Sequence, residues 1–279
     1  MFQRLSNSWE LVKESLRVLQ ADKELMVFPV VSAIGVVLVT LTFLFPMLLG
    51  GFFEFSFNGG GQIAGILALF LFYIVQYTVI FFANTALVGA AMIRLRGGDP
   101  TVSDGLHIAA SRFLIILGYA LIAATVGMIL RAISNHRGLA SIIAGLIGFV
   151  WNVATFLVVP VLAVENVGPI DAIKRSVQLL KQTWGEQLAG NLGLGAFFGL
   201  VVFGLLILGI PAIVLIASLN SIALTIIAVV IYLLVFVLLA LVHSTLNGIY
   251  TAAVYQFATE GKLSGFFNQD LVQNAFRQR

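Results

Sequence analysis

The chain has 279 residues, of which 60% are hydrophobic and only 10% are charged, and its formal net charge is +3. Soluble domains carry roughly 25% charged and about 45–50% apolar residues, so this composition excludes a water-soluble globule and indicates an integral membrane protein. Cysteine is absent, which excludes disulfides, thiolate metal sites and cysteine nucleophiles. The small net charge gives no reason to expect nucleic acid as a partner.

Six apolar segments are long enough to cross a membrane as helices, because about 20 apolar residues span the hydrocarbon core of a bilayer. They cover residues 25–49, 63–93, 113–133, 139–164, 188–217 and 222–257. Pro211 is expected to interrupt the fifth segment, and the run from Arg94 to Pro100 to end the second helix. The first segment is too long for the core of a cleavable signal peptide, so we expect it to be retained as a span.

Three polar segments are amphipathic and precede the first, third and fifth spans. In residues 3–20, apolar side chains recur at steps of three and four, and Asn7 followed by Glu10 predicts a capped helix start. Residues 101–112 begin with Thr101 and Asp104, a pair that is also typical of a helix start. The third segment is residues 169–184. We expect all three to form helices that lie in the membrane interface.

The third amphipathic segment lies in the stretch that joins the fourth span to the fifth, residues 160–194. Its apolar stripe consists of Ile170, Ile173, Val177, Leu180 and Trp184. Its basic residues Lys174, Arg175 and Lys181 lie off that stripe. A shift of 161 positions places the first amphipathic segment on this one, with Trp9 on Ile170, Lys13 on Lys174 and Ser15 on Ser176. Such a correspondence predicts an internal repeat.

The predicted fold is an all-α polytopic membrane bundle of six transmembrane helices with amphipathic interfacial helices. It comprises a single membrane domain, residues 1–261, built from three repeated helical hairpins, residues 1–98, 99–168 and 169–261. A polar cytoplasmic tail, residues 262–279, follows. Thirteen of the fifteen Lys and Arg residues lie on one side of the predicted spans, the exceptions being Arg131 and Arg137. Because basic loops stay in the cytoplasm, both termini are predicted to be cytoplasmic.

A spaced motif starts at Pro160 and reads P-x4-E-x2-G-x3-A-x3-S-x3-L. It resembles a pattern in prokaryotic six-span membrane proteins of unknown function, which are related to the membrane domain attached to some glycerophosphodiester phosphodiesterases. The run from Ser8 to Pro29 is similar to the start of such proteins. The resemblance implies a multi-pass protein of a prokaryotic inner (plasma) membrane, and it implies no activity.

Residues that could support catalysis or metal binding are scattered along the chain. No Asp or Glu lies in the middle of a predicted span, where ion-coupled transporters usually keep one. His107, His136 and His243 belong to different segments. We therefore expect no catalytic residues, no metal site and no cofactor, and a membrane-bound enzyme is the least favoured class.

Polar residues do occur toward the predicted cytoplasmic ends of the spans. These vestibule residues are Asn84, Asn152, His243, Asn247 and Tyr250. They could line a cytosol-facing vestibule that holds a lipid headgroup or a small solute. The simpler interpretation is hydrogen bonding between helices, which contributes about 0.6 kcal/mol on average. Small residues at Gly195-x3-Gly199 and along Ala140-x3-Ala144-x3-Gly148 predict close helix contacts.

The favoured function is that of a non-catalytic membrane protein that engages lipids or partners through its interfacial helices. The expected partners are membrane lipids, anionic ones included, and a protein or a second copy of the chain. The candidate binding residues are Lys174, Arg175, Lys181, Trp184, Lys13, Arg17 and Trp9. Each basic residue near an anionic leaflet contributes about 1 kcal/mol, although these charges could instead only orient the chain. The alternative is an uncoupled channel or carrier for a small or amphipathic solute that uses the vestibule.

Overall fold

The structure is a computed structural model that describes residues 2–49, 61–135, 139–184, 192–219 and 221–261. The described residues form a short 3₁₀-helix, Lys23–Met26, and ten α-helices, with no β-strand among them. The α-helices are α1 (Phe2–Ala21), α2 (Val27–Leu49), α3 (Gln62–Leu95), α4 (Val102–Ser111), α5 (Phe113–Ser134), α6 (Leu139–Ala154), α7 (Val158–Val164), α8 (Pro169–Trp184), α9 (Leu192–Ala217) and α10 (Ile222–Glu260). The predicted tail, residues 262–279, lies outside the described residues.

Six helical stretches are long and apolar enough to cross a membrane, which confirms the helical bundle with six spans. They are Lys23–Pro46, Ile63–Leu95, Phe113–Ser134, Leu139–Val164, Phe197–Ala217 and Ile222–Glu260. The expected interruption at Pro211 is wrong, because this proline lies inside the continuous helix α9. Membrane helices tolerate proline when local adjustments satisfy the freed backbone groups.

The fourth span is broken, and the sequence explains where. Pro160 lacks the N–H that would bond to the carbonyl of Phe156, so the helical ladder is interrupted there. Residues 155–157 form turns between α6 and α7. The N–H of Leu157 instead donates to the Oγ of Ser176, on α8, at 3.1 Å in a buried environment. The break in the span is therefore tied to α8.

The starts of α1 and α4 differ in how they compare with the predicted caps. Thr101 and Asp104 form a reciprocal capping box at the start of α4, as predicted. The start at Asn7 is wrong, because α1 already begins at Phe2. Gly97, with φ of 88°, ends α3 in the run that was expected to break it.

The packed core lies at one end of the bundle. Its buried residues belong to the C-terminal parts of α3 and α10 and to α1, α4, α7 and α8. The start of the first span and the N-terminal half of α5 also contribute. The ionic groups Asp22, Arg94, Arg96, Glu165 and Glu260 lie at this same end. We call it the charged end, and we call α1, α4 and α8 the surface helices.

The opposite end of the bundle is loosely packed and apolar. Leu208, Leu215 and Ile222 are 73%, 70% and 79% exposed, and many large apolar side chains on α2, α6, α9 and α10 are similar. Helix α3 has 34 residues and α10 has 39. At ~1.5 Å per residue they are ~51 and ~58 Å long, well beyond the ~30 Å hydrocarbon core of a bilayer.

Two surface helices bury equivalent residues against this core. In α1 these residues are Ser15, Val18 and Leu19, and in α8 they are Ser176, Leu179 and Leu180. Each pair is separated by the same 161 positions that relate the two segments in the sequence. Ile170, the first residue of the predicted apolar stripe on α8, is 59% exposed. The side that packs into the protein is therefore rotated toward the small residues Ala172 and Ser176.

Close helix contacts occur at glycines that the sequence did not single out. A Cβ on Gly105, in α4, would lie 2.4 Å from Phe28 Cζ and 2.7 Å from the Ala86 carbonyl oxygen. By contrast, no described atom lies within 4 Å of a Cβ built on Gly195 or Gly199. Among the described residues the Gly195-x3-Gly199 motif therefore does not mark a close contact. Ala144 is buried, as its own motif predicted.

Candidate functional site

A cavity lies at the charged end between α3, α7 and α10. Its volume is about 150 Å³. Its walls are formed by Asn84, Val88, Phe156, Val159, Ser244, Asn247, Gly248 and Thr251. Phe156 and Val159 belong to the broken part of the fourth span, so the break shapes one wall. The lining is divided between neutral polar groups and apolar side chains.

The polar groups of the cavity are largely without partners inside the protein. Within the described parts of the chain, neither the Asn84 amide nor the Asn247 amide has a hydrogen-bond partner, and the Ser244 hydroxyl has none. The Thr251 hydroxyl donates to the carbonyl oxygen of Asn247 at 2.7 Å. No Asp, Glu, His, Lys or Arg lines the cavity. The site can therefore exchange hydrogen bonds with a neutral ligand.

The structure brings only two of the predicted vestibule residues together, namely Asn84 and Asn247. His243 instead stacks on Phe198 of α9, with ring centroids 4.5 Å apart and planes 14° apart. Tyr250 is buried in the core, and Asn152 is exposed on α6. Two of the five predicted vestibule residues therefore line the cavity, and a vestibule that binds a ligand stays a prediction.

Several cavity residues were missed by the sequence interpretation, although a signal for some of them existed. Ser244, Gly248 and Thr251 share one face of α10 with Asn247, since they follow at helical spacings of three and four. That face consists of small or polar residues within an otherwise apolar helix. No comparable signal marked Val88, Phe156 or Val159, because apolar residues surround each of them in the sequence.

The basic residues of α8 differ in how they are engaged. Lys174 Nζ pairs with Asp171 Oδ1 at 3.0 Å, and both side chains are largely exposed, at 68% and 64%. Arg175 Nε donates to Glu165 Oε1 at 3.0 Å, and the Tyr255 hydroxyl donates to the same oxygen at 3.0 Å. Lys181 is exposed and forms no ion pair with any described residue. Glu165, at the end of α7, therefore connects Arg175 of α8 to Tyr255 of α10.

The corresponding basic residues of α1 are Lys13 and Arg17, and both are exposed. Arg17 forms no ion pair within the described ranges. The backbones of Trp9 and Trp184 belong to α1 and α8. Their side chains lie outside the described part of the structure.

Other ionic contacts hold the charged end together. Arg94 pairs with the buried Asp22 at 3.3 Å and also with Asp99. Burial raises the pKa of Asp22, although the Arg94 guanidinium acts in the opposite direction. Arg96 pairs with Glu260 at 2.8 Å and so connects the end of α3 to the end of α10. Hydrogen bonds from Thr101 lower the pKa of Asp104 at the start of α4.

Metal binding would need several ligands in one place. In the described ranges, no group of three or more His, Asp or Glu residues is arranged to hold a metal ion. The chain has no cysteine. The cavity and the exposed basic residues of the surface helices are therefore the two candidate sites.

Comparison with models of protein families gives a match over most of the chain. The model of a family of unknown function, DUF6159, matches residues 63–266, which is most of the chain. No curated protein and no solved structure matches the chain. This match agrees with the expected membrane protein family of unknown function. The expected relation to the membrane domain of glycerophosphodiester phosphodiesterases stays a prediction.

Proposed function

Because the chain belongs to the DUF6159 family, whose function is unknown, its role is inferred from its own geometry. We propose that it is a non-catalytic integral membrane protein that engages lipids through the surface helices at its charged end. The observation that carries the proposal is that the buried core and the ionic groups are concentrated at one end of a bundle whose other end is apolar.

Orientation follows from the distribution of basic residues. Among the Lys and Arg residues that the structure describes, Arg131 is the one that lies away from the charged end. The sequence predicts the same side for Arg137. By the positive-inside rule, the charged end faces the cytoplasm, with both termini on that side. We place the protein in the inner (plasma) membrane of a prokaryotic cell, where anionic lipids face the surface helices.

Helix length supports a position of the surface helices at the level of the lipid headgroups. The residues of α3 and α10 that exceed the ~30 Å hydrocarbon core are those that pack against α1, α4 and α8. Ser15 and Ser176 are fully buried, so α1 and α8 are integral parts of this packing. They form a fixed platform rather than helices that leave and rejoin the membrane.

Two lysines of α8 are the best-placed residues for anionic headgroups. The pair between Lys174 and Asp171 is largely exposed, and such a pair contributes at most about 1 kcal/mol, so a lipid phosphate can replace the carboxylate. Lys181 is exposed and has no ion pair among the described residues. Arg175 is held by Glu165, and we assign it to structure rather than to lipid binding.

This proposal predicts a loss of anionic lipid when both lysines are neutralised. In the double variant Lys174→Gln/Lys181→Gln, retention of phosphatidylglycerol during purification should fall about thirtyfold at moderate salt, because each lysine contributes about 1 kcal/mol near an anionic surface. Mass spectrometry of lipids bound to the purified protein, over a rising NaCl series, measures this.

The matched control is Arg131→Gln, which removes a basic residue near the opposite end, where Arg131 is hydrogen bonded to Tyr73. It should leave phosphatidylglycerol retention unchanged. Equal retention by the double variant and the parent at every salt concentration would leave these lysines only their role in orientation. A co-purifying protein, or a second copy, that is lost in the double variant would instead identify a protein interface.

A second candidate function is that of an uncoupled carrier for a small or amphipathic solute. The cavity with unpartnered amides favours it, since such groups can hold a polar solute in transit. Solute uptake into proteoliposomes, compared between the parent and an Asn247→Leu variant, distinguishes a carrier from a lipid-binding protein.

A further inference from the structure

The cavity between α3, α7 and α10 is suited to one class of molecule. We propose that it binds the uncharged glyceryl and ester region of a neutral lipid of the diacylglycerol type. The inference rests on the proposed function only in placing the charged end at the headgroup level of the membrane. It assigns a site that is separate from the lysines of α8.

The absence of charge in the lining excludes an ionic ligand. The polar residues that line the cavity are two asparagines, a serine and a threonine. A phosphate there would have no cation among the lining residues to compensate its charge, and the apolar wall disfavours an unpaired charge. The ligand group inside the cavity is therefore neutral.

The hydrogen-bonding groups match hydroxyl and ester oxygens. Each asparagine amide offers two N–H donors and one carbonyl acceptor, and the Ser244 hydroxyl both donates and accepts. Within the described parts of the chain none of these groups is partnered. Ester carbonyls accept hydrogen bonds from the amide N–H groups, and the free hydroxyl of diacylglycerol donates to an amide or serine oxygen. Val88, Phe156 and Val159 supply an apolar wall for the adjoining acyl carbons.

The size of the cavity fits the same group. A cavity of about 150 Å³ holds a molecule as large as benzene, which has about six non-hydrogen atoms. A glyceryl group, with three carbons and three oxygens, is of that size. The two ester carbonyls of a diacylglycerol add four more atoms, so they extend from the enclosed volume toward the exposed Ser244 and Asn247.

The depth of the cavity places it beside the ester region of the bilayer. Asn84 is 22 residues from Gln62 at the start of α3, and Ser244 is 22 residues from Ile222 at the start of α10. At ~1.5 Å per residue, both lie ~33 Å along their helices, just past the ~30 Å hydrocarbon core. The glycerol and ester groups of lipids occupy that boundary.

The experiment uses the full chain in phosphatidylcholine nanodiscs with and without 1,2-dioleoylglycerol. Native mass spectrometry should show diacylglycerol bound to the parent protein and reduced about tenfold in the Asn84→Leu/Asn247→Leu variant, since two hydrogen-bonding amides of the cavity wall are lost. Asn152→Leu is the matched control, because it removes an amide on α6 that does not line the cavity. It should bind diacylglycerol as the parent does.

A second variant guards against misfolding. Ser244→Phe fills the cavity without changing either amide, and it should also lower diacylglycerol binding while thermal denaturation shows a folded protein. Free glycerol, added in excess over the diacylglycerol, should not displace the lipid from the parent protein. Displacement of the lipid by free glycerol would assign the site to soluble polyols and overturn the lipid assignment. Binding by the double variant that equals the parent's, or no binding by the parent, would overturn the proposal.

The outcome is independent of the anionic-lipid test. If diacylglycerol does not bind but phosphatidylglycerol is still lost from Lys174→Gln/Lys181→Gln, the cavity proposal fails and the platform proposal stands. If diacylglycerol binds but phosphatidylglycerol is retained by Lys174→Gln/Lys181→Gln, the cavity proposal stands and the proposal that the lysines bind anionic lipid fails.

Discussion

At the scale of single residues, the packing of the charged end depends on positions where two backbones approach closely. Gly105 is the clearest of these, because the Cβ of any other residue would meet the backbone carbonyl of Ala86. A backbone atom within a helix cannot move aside as a flexible side chain can. Gly105 therefore allows α4 to lie directly against α3, next to the buried ring of Phe28.

Replacing Gly105 with alanine should destabilise the protein by about 1–3 kcal/mol, the usual effect of overpacking a core. The matched control is Gly145→Ala on α6, where no described atom lies within 4 Å of the added Cβ. That change should be neutral or stabilise the helix by up to about 1 kcal/mol, since glycine is a poor helix former. Thermal denaturation of both variants in the same detergent measures the contrast, and equal shifts would contradict the close approach.

At the scale of elements, α8 is connected to the broken fourth span by a buried hydrogen bond. The Ser176 hydroxyl accepts from the N–H of Leu157, at the break that Pro160 creates. At the equivalent position of α1, Ser15 is equally buried, but its hydroxyl has no hydrogen-bond partner among the described residues. The two serines occupy corresponding places and have different energetic roles.

This difference predicts opposite results for the same substitution. Ser176→Ala should destabilise the protein by about 1 kcal/mol or more, because it leaves a buried backbone N–H unpaired. Ser15→Ala should be neutral or slightly stabilising, since it removes a buried hydroxyl that has no partner. Denaturation midpoints of the two variants against the parent give the answer. A larger loss in Ser15→Ala than in Ser176→Ala would contradict the assignment.

The elements themselves could be predicted because they depend on local composition. Six long apolar segments, the cap at Thr101 and the break after Arg94 are each specified within a few residues. The faces of the spans could not be predicted in the same way. The outer halves of α9 and α10 are apolar on every side, so no periodicity shows which side faces the bundle.

The candidate site shows the same limit. Asn84 and Asn247 are polar residues in apolar helices, and the sequence identified them for that reason. Asn152 and His243 have the same character, yet neither lines the cavity, and His243 instead stacks on Phe198. Their surroundings depend on helix rotation and on the break at Pro160, which moves Phe156 and Val159 into the cavity wall.

At the scale of the whole molecule, the two ends of the bundle differ in packing and in charge. The charged end has a continuous core with ion pairs between elements, such as Arg96 with Glu260. The apolar side chains of the other end are exposed and suit contact with acyl chains rather than with water. Stability is therefore concentrated where the proposed lipid sites lie, on a scaffold that keeps those sites in fixed positions.

The last prediction concerns how this molecule is placed in the membrane. The chain has no native cysteine, so a single introduced cysteine reports its own location without background. Ser134 and Ser218 are exposed at the apolar end, and Ser103 is exposed on α4 at the charged end. Because basic residues are retained in the cytoplasm, Ser134→Cys and Ser218→Cys should react with an impermeant maleimide in intact cells. Ser103→Cys should react only after the membrane is opened.

Labelling of Ser103→Cys alone in intact cells would invert the orientation and move the lysines of α8 away from the anionic leaflet. Labelling of Ser134→Cys and Ser103→Cys from the same side would contradict an odd number of spans between them, and the six-span arrangement would fail with it.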